Sequence, residues 1–153
     1  MARIYKRLRV PYSAAEMFDL VVDIERYPQF VPGWRASRIT AREGDRTAGR
    51  LLVDQVAGEK GLRFRFETQA VYRRPTYLRI ASTGRPFQYF MLRWQFHRQP
   101  DGGCLVIAHA RYRLRDIPFR QLAERLFNHM FADVVNSRSE ERRVGKECTL
   151  RCR

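Results

Sequence analysis

Three histidines, His97, His109 and His129, are the only side chains of this 153-residue sequence with an ordinary pKa near neutrality. Proton transfer in a catalytic site would rest on them, or on a carboxylate pair such as Asp19 and Asp23. Neither set reads as catalytic. No histidine stands at metal-ligand spacing, and no serine occupies a G-x-S-x-G nucleophile elbow. Strand alternation turns His97 and His109 outward, and His129 falls off the apolar stripe of its helix. Asp19 and Asp23 lie four apart on one helix face, where they suit solvating the helix end and meeting Arg26. Cys104, Cys148 and Cys152 form neither a metal cluster nor an even disulfide set. The expectation is a protein without a catalytic residue, a metal or a required cofactor.

The chemistry that the residues do support is the enclosure of an apolar molecule. Phe64, Phe66, Phe90, Leu92 and Trp94 share inward registers of their strands. Leu126, Met130 and Val134 fall on successive turns of a C-terminal helix, placed to roof the space opposite Leu92 and Trp94. Ordinary core packing explains each of these residues singly; so many large apolar groups facing one helix suggest a cup. A ligand in such a cup needs apolar walls and one or two polar contacts. Tyr27, Tyr112 and Trp34 are the candidates for those contacts. Phe30 lies in an apolar loop braced by Pro28 and Pro32, a mouth or lid.

Charge adds a second candidate surface. Lys and Arg number 30 against 16 Asp and Glu, a net charge of +14. Arg7, Arg9, Arg63, Arg65, Arg111 and Arg113, with Arg73, point outward and form a basic sheet face. Such a face favours anionic partners, either lipid headgroups or RNA, as well as plain solvation.

The elements that must position these groups are legible. Residues 2–10 alternate as a strand, with Ala2, Ile4, Leu8 and Val10 on the buried side. Ser13-Ala14-Ala15-Glu16 is a capping box, and Met17, Phe18, Val21 and Val22 give a helix over about 13–22. Strands follow at 35–42, 49–57, 62–73, 78–82, 87–98 and 104–114, divided by Glu43-Gly44-Asp45, Pro75, Gly84-Arg85-Pro86 and Asp101-Gly102-Gly103. Turns at this spacing predict an antiparallel meander. From Pro118, the residues Phe119, Leu122, Ala123, Leu126, Phe127, Met130, Phe131, Val134 and Val135 repeat at helical spacing. The fold class is α+β: a curved antiparallel sheet wrapped around a long C-terminal helix, the helix-grip arrangement.

One stretch carries a family resemblance. Val10-Pro11-Tyr12-Ser13-Ala14-Ala15-Glu16-Met17-Phe18, running on through Asp23-Ile24-Glu25-Arg26-Tyr27-Pro28-Gln29-Phe30-Val31-Pro32, resembles the opening of the coenzyme Q-binding START-like family. That family is grouped with polyketide cyclase/dehydrase-like proteins in the SRPBCC superfamily. Phe87 through Trp94-Gln95-Phe96 with Gly103-Cys104, and Phe127 to Val135, agree with it. Pro32-Gly33-Trp34 departs from it, since the family usually has Pro-Trp-Cys there. The resemblance implies a helix-grip fold, and ubiquinone or another polyprenyl quinone as bound ligand. It also implies a chaperone or delivery role supporting respiratory electron transport, with peripheral contact to an anionic membrane. A bacterial branch is described as a ribosome-association toxin that blocks subunit joining, and some relatives of the fold are cyclases; both remain alternatives.

From Ser137 the apolar periodicity stops. Arg138 to Cys148 resembles a translated sequencing adapter, so the expected organisation is one domain over 1–136, cut short at its C-terminus, and a non-native tail over 137–153. Without that tail's six basic and three acidic residues the net charge is still +11. No apolar run reaches the roughly 18 residues that a membrane helix needs. The N-terminus lacks the apolar block of a signal peptide, and the expected location is cytoplasmic, peripheral at the inner membrane at most.

Overall fold

The computed structural model describes residues 2–31, 33–59, 61–82, 84–85 and 87–114, together with Gln121 and Arg125. Seven strands, β1 (Ala2–Val10), β2 (Trp34–Gly44), β3 (Ala48–Glu59), β4 (Leu62–Arg73), β5 (Tyr77–Ser82), β6 (Phe87–Arg98) and β7 (Cys104–Leu114), form one antiparallel sheet. Its order is β1-β7-β6-β5-β4-β3-β2. Consecutive strands from β2 to β7 are neighbours, as the hairpin signals require, and the first strand closes onto the last.

Two helices stand between β1 and β2. In α1 (Ala14–Val22) the Ser13 hydroxyl accepts from the Glu16 amide at 3.1 Å, and the Glu16 carboxylate accepts from the Ser13 amide at 3.3 Å. That reciprocal cap satisfies two amides that a helix start otherwise leaves unbonded. Met17, Phe18 and Val21 are buried against the sheet. A 3-10 turn (Ile24–Arg26) leads into the single turn α2 (Tyr27–Phe30).

Alternation sends one side chain in two to the concave face. Val53, Ala57, Phe66, Ala70, Leu78, Leu92, Trp94, Phe96, Val106 and Tyr112 are buried there. Burial of each large apolar side chain is worth about 1.5–3 kcal/mol, which makes this face the main source of stability. Leu8 departs from the expected pattern: it is 41% exposed. It shares a register with buried Val106, but β1 is an edge strand with a neighbour on only one side.

The turns show the geometry that their residues imply. Gly44 has φ +92° between β2 and β3, and a Cβ there would lie 2.3 Å from the Ala48 carbonyl oxygen. The Asp45 carboxylate accepts from the amides of Thr47 and Ala48 at 2.8 and 3.1 Å, which holds its pKa below the usual carboxylate range. No helix among the described residues is long and apolar enough to cross a membrane. The expected C-terminal helix, with Leu126, Met130, Val134 and His129, lies outside the described residues, as do the 136/137 boundary and the tail.

Candidate functional site: an aromatic cup with a polar relay

Aromatic side chains from four separate segments meet on the concave face. Tyr27 packs edge-on to Phe30 at 5.7 Å and to Trp34 at 6.2 Å between ring centroids. Trp34 meets Phe66 at 6.1 Å, Phe66 stacks on Phe64 at 5.4 Å, and Phe66 meets Phe87 edge-on at 5.4 Å. Phe87 then stacks on Phe90 at 4.9 Å. The cup residues Tyr27, Phe30, Trp34, Phe64, Phe66 and Phe90 are therefore one contiguous aromatic row. Trp94 stacks on Phe96 and joins α1 through a Phe18–Phe96 contact. Leu92 and Tyr112 are buried between the two groups of rings on β6 and β7.

Phe87 belongs to the row although simple alternation from Phe90 turns it outward. A register shift between Phe87 and Tyr89 supplies the extra residue that reverses its direction. No turn residue marks that bulge, so the sequence pattern does not reveal it.

A polar relay crosses the cup floor. The Trp34 indole N–H donates to the Gln55 carbonyl oxygen at 2.7 Å, and the Gln55 amide nitrogen donates to the Thr68 hydroxyl at 2.8 Å. Both Gln55 and Thr68 are buried, at 2% and 1% exposure. Because an indole only donates, the bond to Trp34 fixes which way the Gln55 amide faces. Two donors remain after these bonds, the second amide hydrogen of Gln55 and the Thr68 hydroxyl hydrogen. Together they suit a carbonyl oxygen. Sequence reasoning missed Gln55; the signal was available, since it holds an inward register between Val53 and Ala57.

The polar contacts expected of Tyr27 and Trp34 are already committed. Tyr27 donates its hydroxyl to the Val21 carbonyl at the end of α1. Burial, and then the nearby Asp23 carboxylate, raise its pKa well above the ordinary phenol value. Trp34 is held by Gln55. The segment between them is fastened: the Val31 amide donates to Tyr27 at 2.8 Å, and the Gly58 amide to the Gly33 carbonyl at 2.8 Å. Tyr27, Trp34, Gln55, Phe66, Thr68, Ile80, Phe90 and Leu92 enclose a cavity of about 10 Å³. That is room for about one water-sized centre. A ring-sized ligand entering at this point must part the Phe66 and Phe90 walls.

A larger cleft, of about 530 Å³, opens between α1 and the β2–β3 hairpin. Phe18, Val22, Ile39, Leu51 and Tyr72 give it an apolar floor, and both acidic and basic side chains rim it. Asp19 sits on this rim rather than in a carboxylate pair: Arg74 binds it through two bonds of 2.9 Å. Asp23 meets Arg26 at 3.8 Å, as expected. Among the described residues no three His, Cys, Asp or Glu side chains gather at metal-binding distance.

The expected basic face splits in two. Arg7 and Arg9 on β1 and Arg111 and Arg113 on β7 lie on neighbouring strands. Arg63 and Arg65 stand on β4, four strands from β1 or about 19 Å at ordinary strand spacing. Arg65 is also paired with Asp54, so its charge is locally balanced. Sequence reasoning grouped outward residues without knowing strand order, and so joined two patches that the sheet separates.

The family model for polyketide cyclase / dehydrase and lipid transport matches residues 10–137. The ribosome association toxin RatA of Escherichia coli K12 is 26% identical over 137 residues, covering 90% of this chain and 84% of the relative. Among solved structures, a START superfamily protein from Mycobacterium smegmatis superposes with a TM-score of 0.75 at 18% identity, covering 90% of this chain and 97% of the other. The Zhui aromatase/cyclase from Streptomyces sp. R1128 superposes at 0.74 with 13% identity, covering 94% and 95%. At these identities the structural matches establish the fold alone: the sheet is that of START-like proteins.

Proposed function

We propose that this chain, which belongs to the polyketide cyclase / dehydrase and lipid transport family, binds a hydrophobic carbonyl-bearing ligand in its aromatic cup, and that the ligand is a polyprenyl quinone of the ubiquinone type. The observation that carries this reading is the Trp34–Gln55–Thr68 relay, a buried polar strip with donor capacity left on Gln55 and Thr68, set among apolar and aromatic walls. A quinone head offers a carbonyl acceptor, and its isoprenoid tail needs only apolar walls. The role is carriage, delivering quinone to the respiratory chain, rather than turnover. Among the described residues of the cup, the titratable groups are Tyr27 and Tyr112. Tyr27 is engaged and driven further from neutrality by burial, so it supplies no general acid or base near pH 7. Organic extracts of the purified chain, read by mass spectrometry, should contain quinone, and the protein should take quinone up from loaded vesicles. Extracts without quinone, together with no uptake, would refute the reading.

A second reading, ribosome association, is favoured by a different observation. The outward face of β1 and β7 is strongly basic, and the Escherichia coli relative matched over 90% of the chain is named a ribosome association toxin. A basic face of this kind also attracts anionic membrane, at about 1 kcal/mol per basic residue near the surface. Co-sedimentation of the chain with purified ribosomal subunits at moderate salt tests this reading directly.

A further inference from the structure

Strand pairing places seven arginines and two histidines on the outward registers of β1, β7, β6 and β5, and no Asp or Glu. On β4, by contrast, Arg65 is paired with Asp54. At the centre of the acid-free region one row crosses four strands: Tyr5, His109, Arg93 and Arg79 stand opposite one another in turn. It spans about 14 Å at ordinary strand spacing. Arg3 and Arg111 form the adjoining pair.

Directly opposed like charges destabilise a sheet, so this arrangement calls for a counter-charge. Two features locate it. The Nε atoms of Arg93 and Arg111 are buried and have no hydrogen-bond partner. Buried donors of this kind are rarely left unmatched without a functional reason. Beside them Tyr5 is 59% exposed, the most exposed large apolar side chain among the described residues, and its ring leans on His109 at 6.1 Å. An exposed aromatic framed by guanidinium groups on a sheet surface is the arrangement on which unpaired bases stack.

We propose that the outward face of β1, β7, β6 and β5 binds single-stranded RNA, with phosphates held by Arg3, Arg93 and Arg111 and a base stacked on Tyr5. This inference rests on the ribosome-association reading for the source of the RNA. A membrane would draw on the same charges and on Tyr5 as an interfacial anchor, so vesicle flotation forms one arm of the test.

His109 adds a signature. Its pKa lies below the ordinary value, through burial first and then the positive charges of Arg93, Arg111 and Arg3. The groups facing it are Arg3 and Tyr5 from β1, Arg111 on its own strand and Arg93 from β6. A phosphate among these groups offsets the repulsion and favours the imidazolium, so binding takes up a proton. Affinity therefore rises as pH falls through and below about 6.5.

The test uses the full chain and a fluorescent oligouridine RNA, read by anisotropy across a salt series. Three phosphate contacts predict a log–log slope near −2, or about 20-fold weaker binding at 200 mM than at 50 mM salt. R93Q and R111Q should each flatten the slope by about 0.7. Y5A should weaken binding by about 5- to 150-fold and leave the slope intact. R65Q should change neither, and thermal melts confirm that each variant is folded. Subunit co-sedimentation is run with the same variants. Loss of both signals in R93Q and Y5A supports the inference. Oligouridine binding that is sensitive to Y5A, without sedimentation of the wild type, supports the face and sinks the ribosome reading. Sedimentation that all variants retain overturns the face and spares that reading. Flotation on anionic vesicles that depends on Arg93, without RNA binding, overturns the proposal in favour of lipid.

Discussion

Replacing Gln55 by leucine keeps the side chain's approximate volume and removes both relay bonds. The energetic effect falls mainly on Trp34, whose indole N–H bonds Gln55 at 2.7 Å in a residue only 7% exposed. A buried donor left unsatisfied costs about 1–3 kcal/mol. Thr68 loses a donor at 2.8 Å, but its hydroxyl can rotate, so its share is smaller. The apolar leucine recovers part of the loss, and the net expectation is about 2 kcal/mol. For a chain of this size that lowers the melting temperature by about 4–8 °C. W34F removes the stranded donor. Q55L should therefore cost about 1–2 kcal/mol less in the W34F background, a coupling that distant sites do not show. Urea unfolding followed by far-ultraviolet circular dichroism measures all four corners of this cycle. If the two substitutions add to within about 0.5 kcal/mol, the relay carries no energy and the reasoning fails. With quinone present, Q55L should also lose ligand retention, because leucine offers no donor to a carbonyl.

Three further outcomes are expected. Y27F, which removes the donor to the Val21 carbonyl, should lower stability by about 1 kcal/mol in urea unfolding without changing the fold. The Cys104 thiol, fully buried and pushed up to about 11 by burial and then by Glu16, should resist alkylation at pH 8 and react once the chain is unfolded; peptide mapping reads this site directly. His109 is depressed in the folded state, so the unfolded chain binds more protons below about pH 6.5. The melting temperature should consequently fall on acidification through that range, and H109Q should reduce the fall.

Most of the frame was legible because it rests on local chemistry. Ser13 and Glu16 announced α1, and Glu43-Gly44-Asp45 and Asp101-Gly102-Gly103 announced hairpins that the structure contains. Inward alternation identified Phe64, Phe66, Phe90, Leu92 and Trp94 as neighbours in space. What escaped is non-local or hidden by a change of register. Phe87 turns inward only because of the β6 bulge. Gln55 looks like a stray polar residue until Trp34 and Thr68 arrive from other strands. Arg93 and Arg3 cannot be joined without knowing that β1 lies beside β7. Tyr27 and Trp34 lie in the aromatic row, but their polar atoms are spent on Val21 and Gln55.

The pairing of the first strand with the last has a consequence for the chain as it is made. Lys6 bonds alongside Ala108, about a hundred residues later. At roughly 5–20 residues per second, β1 leaves the ribosome roughly 5–20 s before its partner exists. The strands from β2 to β6 can assemble in order during that interval, each beside the one just made. β1 has to wait as an unpaired strand, the kind of segment that invites aggregation. Its composition suits the delay: Arg3, Arg7 and Arg9 charge one side, and Lys6 interrupts the apolar side. The strand made earliest of the seven is thus the last to join the sheet, kept in solution meanwhile by the charges that it later displays on its surface.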